Sequence, residues 1–198
     1  MIVTTQQTIL STSAALFAAK GFDALTMRDI ASACGIKAPS LYNHFADKQS
    51  LYERTLVFVF SEHGDRLLSC LRQSLPAEQR LDIFIETLCQ QLSDDFVFRQ
   101  LFLREVIEQN EERAQFLAKE VMATTCHALH DVFLAINPNC DPHFLTTSLM
   151  GMTLFHFQIN HLRPLLPGGS VEKQDLTYLT RQITSMIQSM IHYPNMAG

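Results

Sequence analysis

Apolar residues recur at three- and four-residue spacing along nearly the whole 198-residue chain, and no stretch alternates apolar and polar positions as a half-buried strand would. This periodicity predicts an all-α protein. Gly21 ends a first helix over 5–20, with Ile9, Leu10, Ala14, Leu16 and Phe17 turned inward. Thr26 caps a short helix to about Ala33, Cys34-Gly35-Ile36 makes a turn, and a third helix follows over about 38–44 with Pro39 in its first turn. Asp47 opens a long fourth helix to about Leu75, where Pro76 breaks it. Further helices are expected over 77–92, 96–109, 111–135, 142–162 and 171–192, separated by the loop at Asn137–Pro142 and by Pro164, Pro167, Gly168 and Gly169. The chain thus divides into a three-helix head, 1–48, and a body of about six helices, 49–198.

Hydrophobic residues make up 47 % of the chain and charged residues 18 %, so the body can bury a core and the chain is not of the disordered class. The net charge of −5 argues against nucleic acid on its face, because phosphate binding needs Lys and Arg. The charge is unevenly placed, however. Residues 1–50 hold four Lys/Arg against three acids, and residues 51–198 hold eleven against seventeen. An acidic body beside a nearly neutral head permits a DNA-binding head without demanding one. Five widely spaced cysteines with no C-x-x-C read as reduced thiols of a cytoplasmic protein. No cation precedes Ala14–Ala19, so no signal peptide is expected. The apolar run 145–159 is interrupted by Thr146, Thr147, Ser148, Thr153 and His156, so no membrane span is expected either.

The segment from Thr26 to Lys48 says most about function. Two short helices flank a turn at Gly35, where glycine tolerates positive φ, and Ala31 is small enough to let the helices touch. With Ile30, Ile36, Leu41 and Phe45 filling the core, Lys37, Ala38, Ser40, Tyr42, Asn43 and His44 remain outside. They offer a cation, hydroxyl groups, an amide, a phenol and an imidazole on a helix end that fits a major groove about 12 Å wide.

The pattern Thr26-x-Arg28-Asp29-Ile30-Ala31, then Gly35-Ile36, Ser40-Leu41-Tyr42-x-His44-Phe45 and Lys48 resembles the TetR family of bacterial transcriptional regulators. Ile9-Leu10 through Ala15-Leu16-Phe17 to Gly21-Phe22 matches that family's first helix, so the resemblance covers about residues 5–55. It implies a helix-turn-helix head that binds double-stranded operator DNA and a body that senses a ligand and dimerises. It further implies that Thr26 and Arg28 meet phosphates and that Lys37, Ala38, Pro39 and Ser40 approach base edges. Tyr42 and His44 would donate to phosphates, Asn43 could pair with adenine, and Lys48 would approach the backbone. One departure stands out: the arm 1–7 holds no Arg or Lys, and the recognition helix holds no Arg to grip guanine in two-pronged fashion.

Helical bodies of this family usually keep a cavity. Here it is expected to be apolar and to take an apolar or aromatic ligand, with His63, Leu67, Leu88, Phe102, Met122, Cys126, His127, Met152 and Phe155 as candidate lining residues. His127-x-x-His130 sets two imidazoles on one helix face, but no Cys or acid joins them at a recognisable spacing, so no metal is expected. No nucleophile motif, phosphate loop or dinucleotide fingerprint occurs, and neither a cofactor nor catalysis is expected. The predicted helix 142–162 is apolar around most of its circumference, and 171–192 repeats Leu176, Leu179, Ile183, Met186, Ile187, Met190 and Ile191. Such helices suggest a four-helix interface with a second copy. Two function classes fit: a ligand-gated DNA-binding repressor, and a helical dimeric scaffold that has lost DNA binding.

Overall fold

Every break in the helical periodicity is used in the structure, a computed structural model that describes residues 5–192. Residues 1–4 of the cation-free arm, and 193–198, lie outside the described residues. Among those described, the regular structure is helical throughout: α1 Thr5–Lys20, α2 Met27–Ala33, α3 Ala38–Tyr42, α4 Lys48–Leu71, α5 Ala77–Asp94, α6 Phe96–Glu108, α7 Glu111–Phe116, α8 Ala123–Ile136, α9 Pro142–Gln158 and α10 Leu176–Ile191. A π-helical turn, Leu117–Met122, joins α7 to α8, so the single helix expected over 111–135 is continuous but carries a wider turn within it.

These elements form two compact units. The first runs to His63 and takes in Phe96–Val121; the second is Gly64–Asp95 with the described residues from Met122 onward. The chain passes from one unit to the other inside α4, between α5 and α6, and inside the π-turn.

In the first unit, α1 packs on α6 and α2 packs on α3. Phe17, with no exposed surface, meets the ring of Tyr52 edge-on at 4.6 Å, and Phe22 lies 5.1 Å from the same ring. Ile9, Leu10, Ala14, Ile30, Leu41, Phe45 and Leu51 complete this core. Leu16 and Ile36, expected inside, are only half-buried. Tyr52 is buried beside polar company: its hydroxyl donates to Glu105 Oε1 at 2.5 Å, and Arg113 Nε donates to Glu105 Oε2 at 3.1 Å. Arg113 Nη2 donates to Glu108 Oε2 at 2.5 Å. Burial, followed by the bond to Glu105, holds the Tyr52 phenol far above its ordinary range.

In the second unit, α5 packs against α8, α9 and α10. Leu81, Phe84, Ile85, Leu88 and Leu92 of α5 face Leu129, Val132 and Phe133 of α8, Leu145 and Leu149 of α9, and Leu179, Ile183 and Ile187 of α10. Cys89 lies inside this core, and burial pushes its thiol up to about 11. Three helix ends fall short of their expected positions, one of them the start of α10, which lies at Leu176 and not 171 because Asp175 caps it there by accepting from Tyr178 N at 2.9 Å. α4 stops at Leu71, whose carbonyl accepts from Arg80 Nη1 at 2.8 Å, so the end is capped before Pro76. α9 stops at Gln158 rather than 162, because the ladder tightens there: Asn160 N bonds Phe157 O, and the chain goes on into the 3₁₀ turn Arg163–Leu165.

Gly21 ends α1 at φ +82°, and an added Cβ would stand 2.8 Å from Arg104 Nη1. Gly21→Ala is expected to lower the stability of the first unit by about 1–3 kcal/mol, from strain in the left-handed region. Chemical denaturation of the two proteins, followed by helix content, measures this directly.

Candidate nucleic-acid interface

The helix-turn-helix segment is fixed by caps before it is fixed by packing. At the start of α2, Thr26 Oγ1 accepts from Asp29 N at 3.2 Å, while Asp29 Oδ2 accepts from Thr26 N at 2.9 Å and from the Thr26 hydroxyl at 2.6 Å. This reciprocal box satisfies amides that the helix leaves without partners. The Thr26 hydroxyl, and then its amide, hold the exposed Asp29 carboxyl below the usual carboxylate range.

At the other end of α2, Ile36 N donates to Ala31 O and Gly35 N to Ser32 O, both at 3.0 Å. This is the Schellman arrangement, and it requires a left-handed residue, which Gly35 supplies at φ +68°. The turn delivers the chain directly into α3, with Lys37 extended as its N-cap and Pro39 in its first turn. Leu41 and Phe45 anchor α3 to the core, and Ile30 and Ala31 do the same for α2. The expected helix 38–44 ends at Tyr42, because His44 N bonds back to Leu41 O in a tighter turn.

The sequence-predicted contact residues sit as follows. Thr26 and Arg28 are exposed on α2. Lys37, Pro39, Ser40, Tyr42, Asn43 and His44 are exposed along α3 and its ends, and Ala38 is half-buried. Tyr42 is 51 % exposed, a large ring held away from the core on a helix whose other side is anchored. Lys48 is placed differently. Its Nζ donates to Phe22 O and Leu25 O, each at 2.9 Å, and lies 4.1 Å from the centre of the Phe22 ring. Two of its three N–H donors are therefore engaged within the protein, and the residue braces the α1–α2 link instead of reaching outward. Arg104, which the sequence reading passed over, holds the last turn of α1 from α6: Nε donates to Ala18 O and Nη2 to Ala19 O, both at 2.8 Å. The signal that could have found it is a charged pair, Arg104-Glu105, inside the apolar run from Leu101 to Ile107.

The candidate ligand residues are not gathered in one unit. His63 and Phe102 belong to the first, where the His63 ring stacks on Phe98 at 4.0 Å. Leu67, Leu88, Met122, Cys126, His127, Met152 and Phe155 belong to the second. Leu67 and Leu88 are core, and Met122, Cys126 and Met152 are half-buried. His127 and Phe155 are exposed, so these two do not point into the bundle. One groove of the second unit, about 450 Å³, is bordered by Asp82, Glu86, Thr180, Arg181, Thr184 and Gln188, and it shares no residue with the expected set. Among the described residues no helix is long and apolar enough to cross a membrane.

Comparison with known proteins follows the same division. Residues 9–55 match the family described as bacterial regulatory proteins, tetR family. Over 160 residues the chain is 24 % identical to an uncharacterized HTH-type transcriptional regulator, YerO, of Bacillus subtilis (strain 168), covering 78 % of this chain and 55 % of that protein. Over 52 residues it is 42 % identical to the biofilm operon icaADBC HTH-type negative transcriptional regulator IcaR of Staphylococcus aureus (strain Newman), covering 26 % of this chain and 28 % of IcaR. The chain thus spans about half of the first relative and just over a quarter of the second. Among solved structures, the fatty acid degradation regulator FadR from Bacillus halodurans superposes with a TM-score of 0.74 at 16 % identity, over 95 % of this chain and 98 % of that one. The ketosteroid transcriptional regulator KstR2 of Mycobacterium tuberculosis gives 0.69 at 18 %, over 96 % and 95 %. At these identities the structures establish a shared all-α fold.

Replacing Thr26 by Ala is expected to destabilise the first unit by about 1 kcal/mol through loss of the cap. Asp29 has a depressed pKa when folded, so its share of the cap is present above its unfolded pKa and is lost as pH falls through the folded value. The deficit of Thr26→Ala should therefore shrink in acid. Denaturant unfolding of both proteins at neutral pH, and again below the carboxylate range, tests the sign.

Proposed function

We propose that this chain, which belongs to the tetR family of bacterial regulatory proteins, is a transcriptional repressor that releases a palindromic operator when a small apolar ligand binds its body. The observation that carries the reading is α3: a short helix anchored by Leu41 and Phe45, turned by a Schellman cap, with Lys37, Pro39, Ser40, Tyr42, Asn43 and His44 all exposed. The head, 1–48, reads DNA. Lys37 to Ser40 approach base edges, Asn43 pairs with adenine, and Arg28, Tyr42 and His44 meet phosphates, whereas Thr26, expected at a phosphate, spends both its hydroxyl and its amide on Asp29 and serves as the cap of α2. Lys48 supports the head from within. The body, 49–198, senses and dimerises, and the regulator works in the cytoplasm as a DNA-binding factor and not as an enzyme.

A dimer is needed because one short helix binds weakly, whereas two linked heads read two half-sites about 34–36 Å apart. On α9, Phe144 and Phe155 are 57 % and 62 % exposed, and on α10 Met186 is 52 % exposed. These large apolar side chains stand outside a bundle whose own core is already filled, and a second copy covers them. The ligand class rests on Leu67, Leu88, Met122 and Met152 in the second unit. It also accords with the names of two proteins of the same fold, which concern fatty acid degradation and ketosteroids. Helix α4 begins in the first unit and ends in the second, so it is shared by the reading and the sensing parts. For release to occur the ligand must bind better to the state that does not hold DNA.

Selection of genomic fragments on the purified protein at about 100 mM salt, where specific and non-specific binding separate, is expected to enrich a short palindrome. Against that operator Lys37→Ala should relax sequence preference and weaken binding by about 1–3 kcal/mol, whereas Tyr42→Ala should weaken binding to all sequences alike. A folded dimer in which both changes leave DNA binding unmoved overturns the reading. Phe155→Asp should give a monomer on sedimentation and abolish palindrome binding. A dimer of unchanged strength would remove α9 from the interface.

A further inference from the structure

We infer that Arg104, Glu105 and Arg113 are positioning residues for DNA reading, although all three lie beyond the segment 9–55 that carries the family match. The inference rests on the DNA-binding reading above and adds to it a set of residues that hold the reading helix in place.

The helix-turn-helix segment, 26–44, is attached to the rest of the first unit at two ends. Before it runs the α1–α2 link, 21–25; after it comes the start of α4. Both ends are tied by charged side chains. The link is held from α4 by Lys48, on the carbonyls of Phe22 and Leu25, and the end of α1 that leads into it is held from α6 by Arg104, on the carbonyls of Ala18 and Ala19. Carbonyls at a helix C-terminus lack partners within the helix, and a cation there meets both the free acceptors and the negative end of the helix dipole. Gly21 fits this arrangement, because a Cβ at that position would stand 2.8 Å from Arg104 Nη1.

The next residue of α6 holds the other end. Glu105, 9 % exposed, accepts from Tyr52 of α4 at 2.5 Å and from Arg113 of α7 at 3.1 Å. Arg113, 5 % exposed, also lies 5.1 Å from the centre of the Phe22 ring, in the link itself. Consecutive residues of α6 therefore fix the end of α1 and the start of α4, and Arg113 connects the second tie back to the first. None of the three residues is on α2 or α3. Their action on DNA runs through the helices they hold.

The test uses the full-length chain with Arg104→Met, which keeps the length of the side chain without its donors; Arg104→Lys, which keeps the charge without the fork; and Glu105→Gln. Ile183→Val, a core change in the second unit, controls for general loss of stability. Hydrogen exchange is read by mass spectrometry without DNA. Amides in 18–44 are expected to exchange about tenfold faster in Arg104→Met than in wild type, while α5, α8 and α10 are unchanged. The second readout is the ratio of operator to non-specific DNA affinity. It is expected to fall about tenfold in Arg104→Met and in Glu105→Gln, to recover in part in Arg104→Lys, and to hold in Ile183→Val. Unchanged exchange in 18–44 overturns the tie, and unchanged ratios with faster exchange overturn the role in reading. A wild-type protein that enriches no operator sinks the DNA-binding reading itself, and the exchange data then judge the tie alone.

Discussion

Glu105 is the group around which the first unit is arranged. A carboxylate taken out of water loses several kcal/mol of hydration, and only well-placed donors offset that loss. Here they come from two directions, the Tyr52 phenol and the Arg113 guanidinium. The donors are chosen by the fold: Tyr52 stands 53 positions away and is itself clamped by Phe17 and Phe22. An apolar core of this size would tolerate some sliding of α4 on α6. A buried carboxylate with directional partners does not, since removing Arg113 leaves its charge without a counter-ion and removing Tyr52 leaves one of its oxygens without that donor. The geometry of the head is therefore held by polar contacts set inside an aromatic shell.

The head was readable from its sequence because its determinants are local. The Thr26–Asp29 box spans three residues, the Schellman turn depends on one glycine, and Ile30, Leu41 and Phe45 alternate with the exposed positions at helical spacing. What escaped is what depends on distant partners. Lys48 carries the same charge whether it faces phosphate or two carbonyls 23 and 26 residues back, and periodicity cannot tell these apart. Arg104 finds its acceptors 85 and 86 residues earlier. Helix ends went astray for a related reason. Leu71 is where α4 stops because Arg80 reaches its carbonyl, and α3 is cut short by a bond from His44 N, neither of which a hydrophobic pattern contains. The body's apolar stripes were legible as stripes. Which of their members face inward, as Leu149 does, and which face out, as Phe155 does, was decided by packing against α5 and α8.

The π-turn at Leu117–Met122 belongs with these long-range effects. One extra residue in a helical turn rotates everything after it by about 100° relative to a regular helix, given 3.6 residues per turn. Arg113 before the turn looks into the first unit, and Leu129, Val132 and Phe133 after it look into the core of the second. The wider turn stands between the stretch of helix that serves the first core and the stretch that serves the second.

The inward engagement of Lys48 bears on how such a protein would search a chromosome. Sliding along DNA relies on a diffuse cationic surface that stays in contact with phosphates while the sequence beneath it changes. With that ammonium held by Phe22 and Leu25, the described part of the helix-turn-helix segment presents Arg28 and Lys37, and the remaining chain is net acidic. On the proposed DNA-binding function, non-specific encounters would then be brief and the DNA would be left quickly between trials. Operator location would then be a matter of repeated three-dimensional collisions, and the number of copies in the cell, more than the length of each scan, would set how soon an empty site is filled.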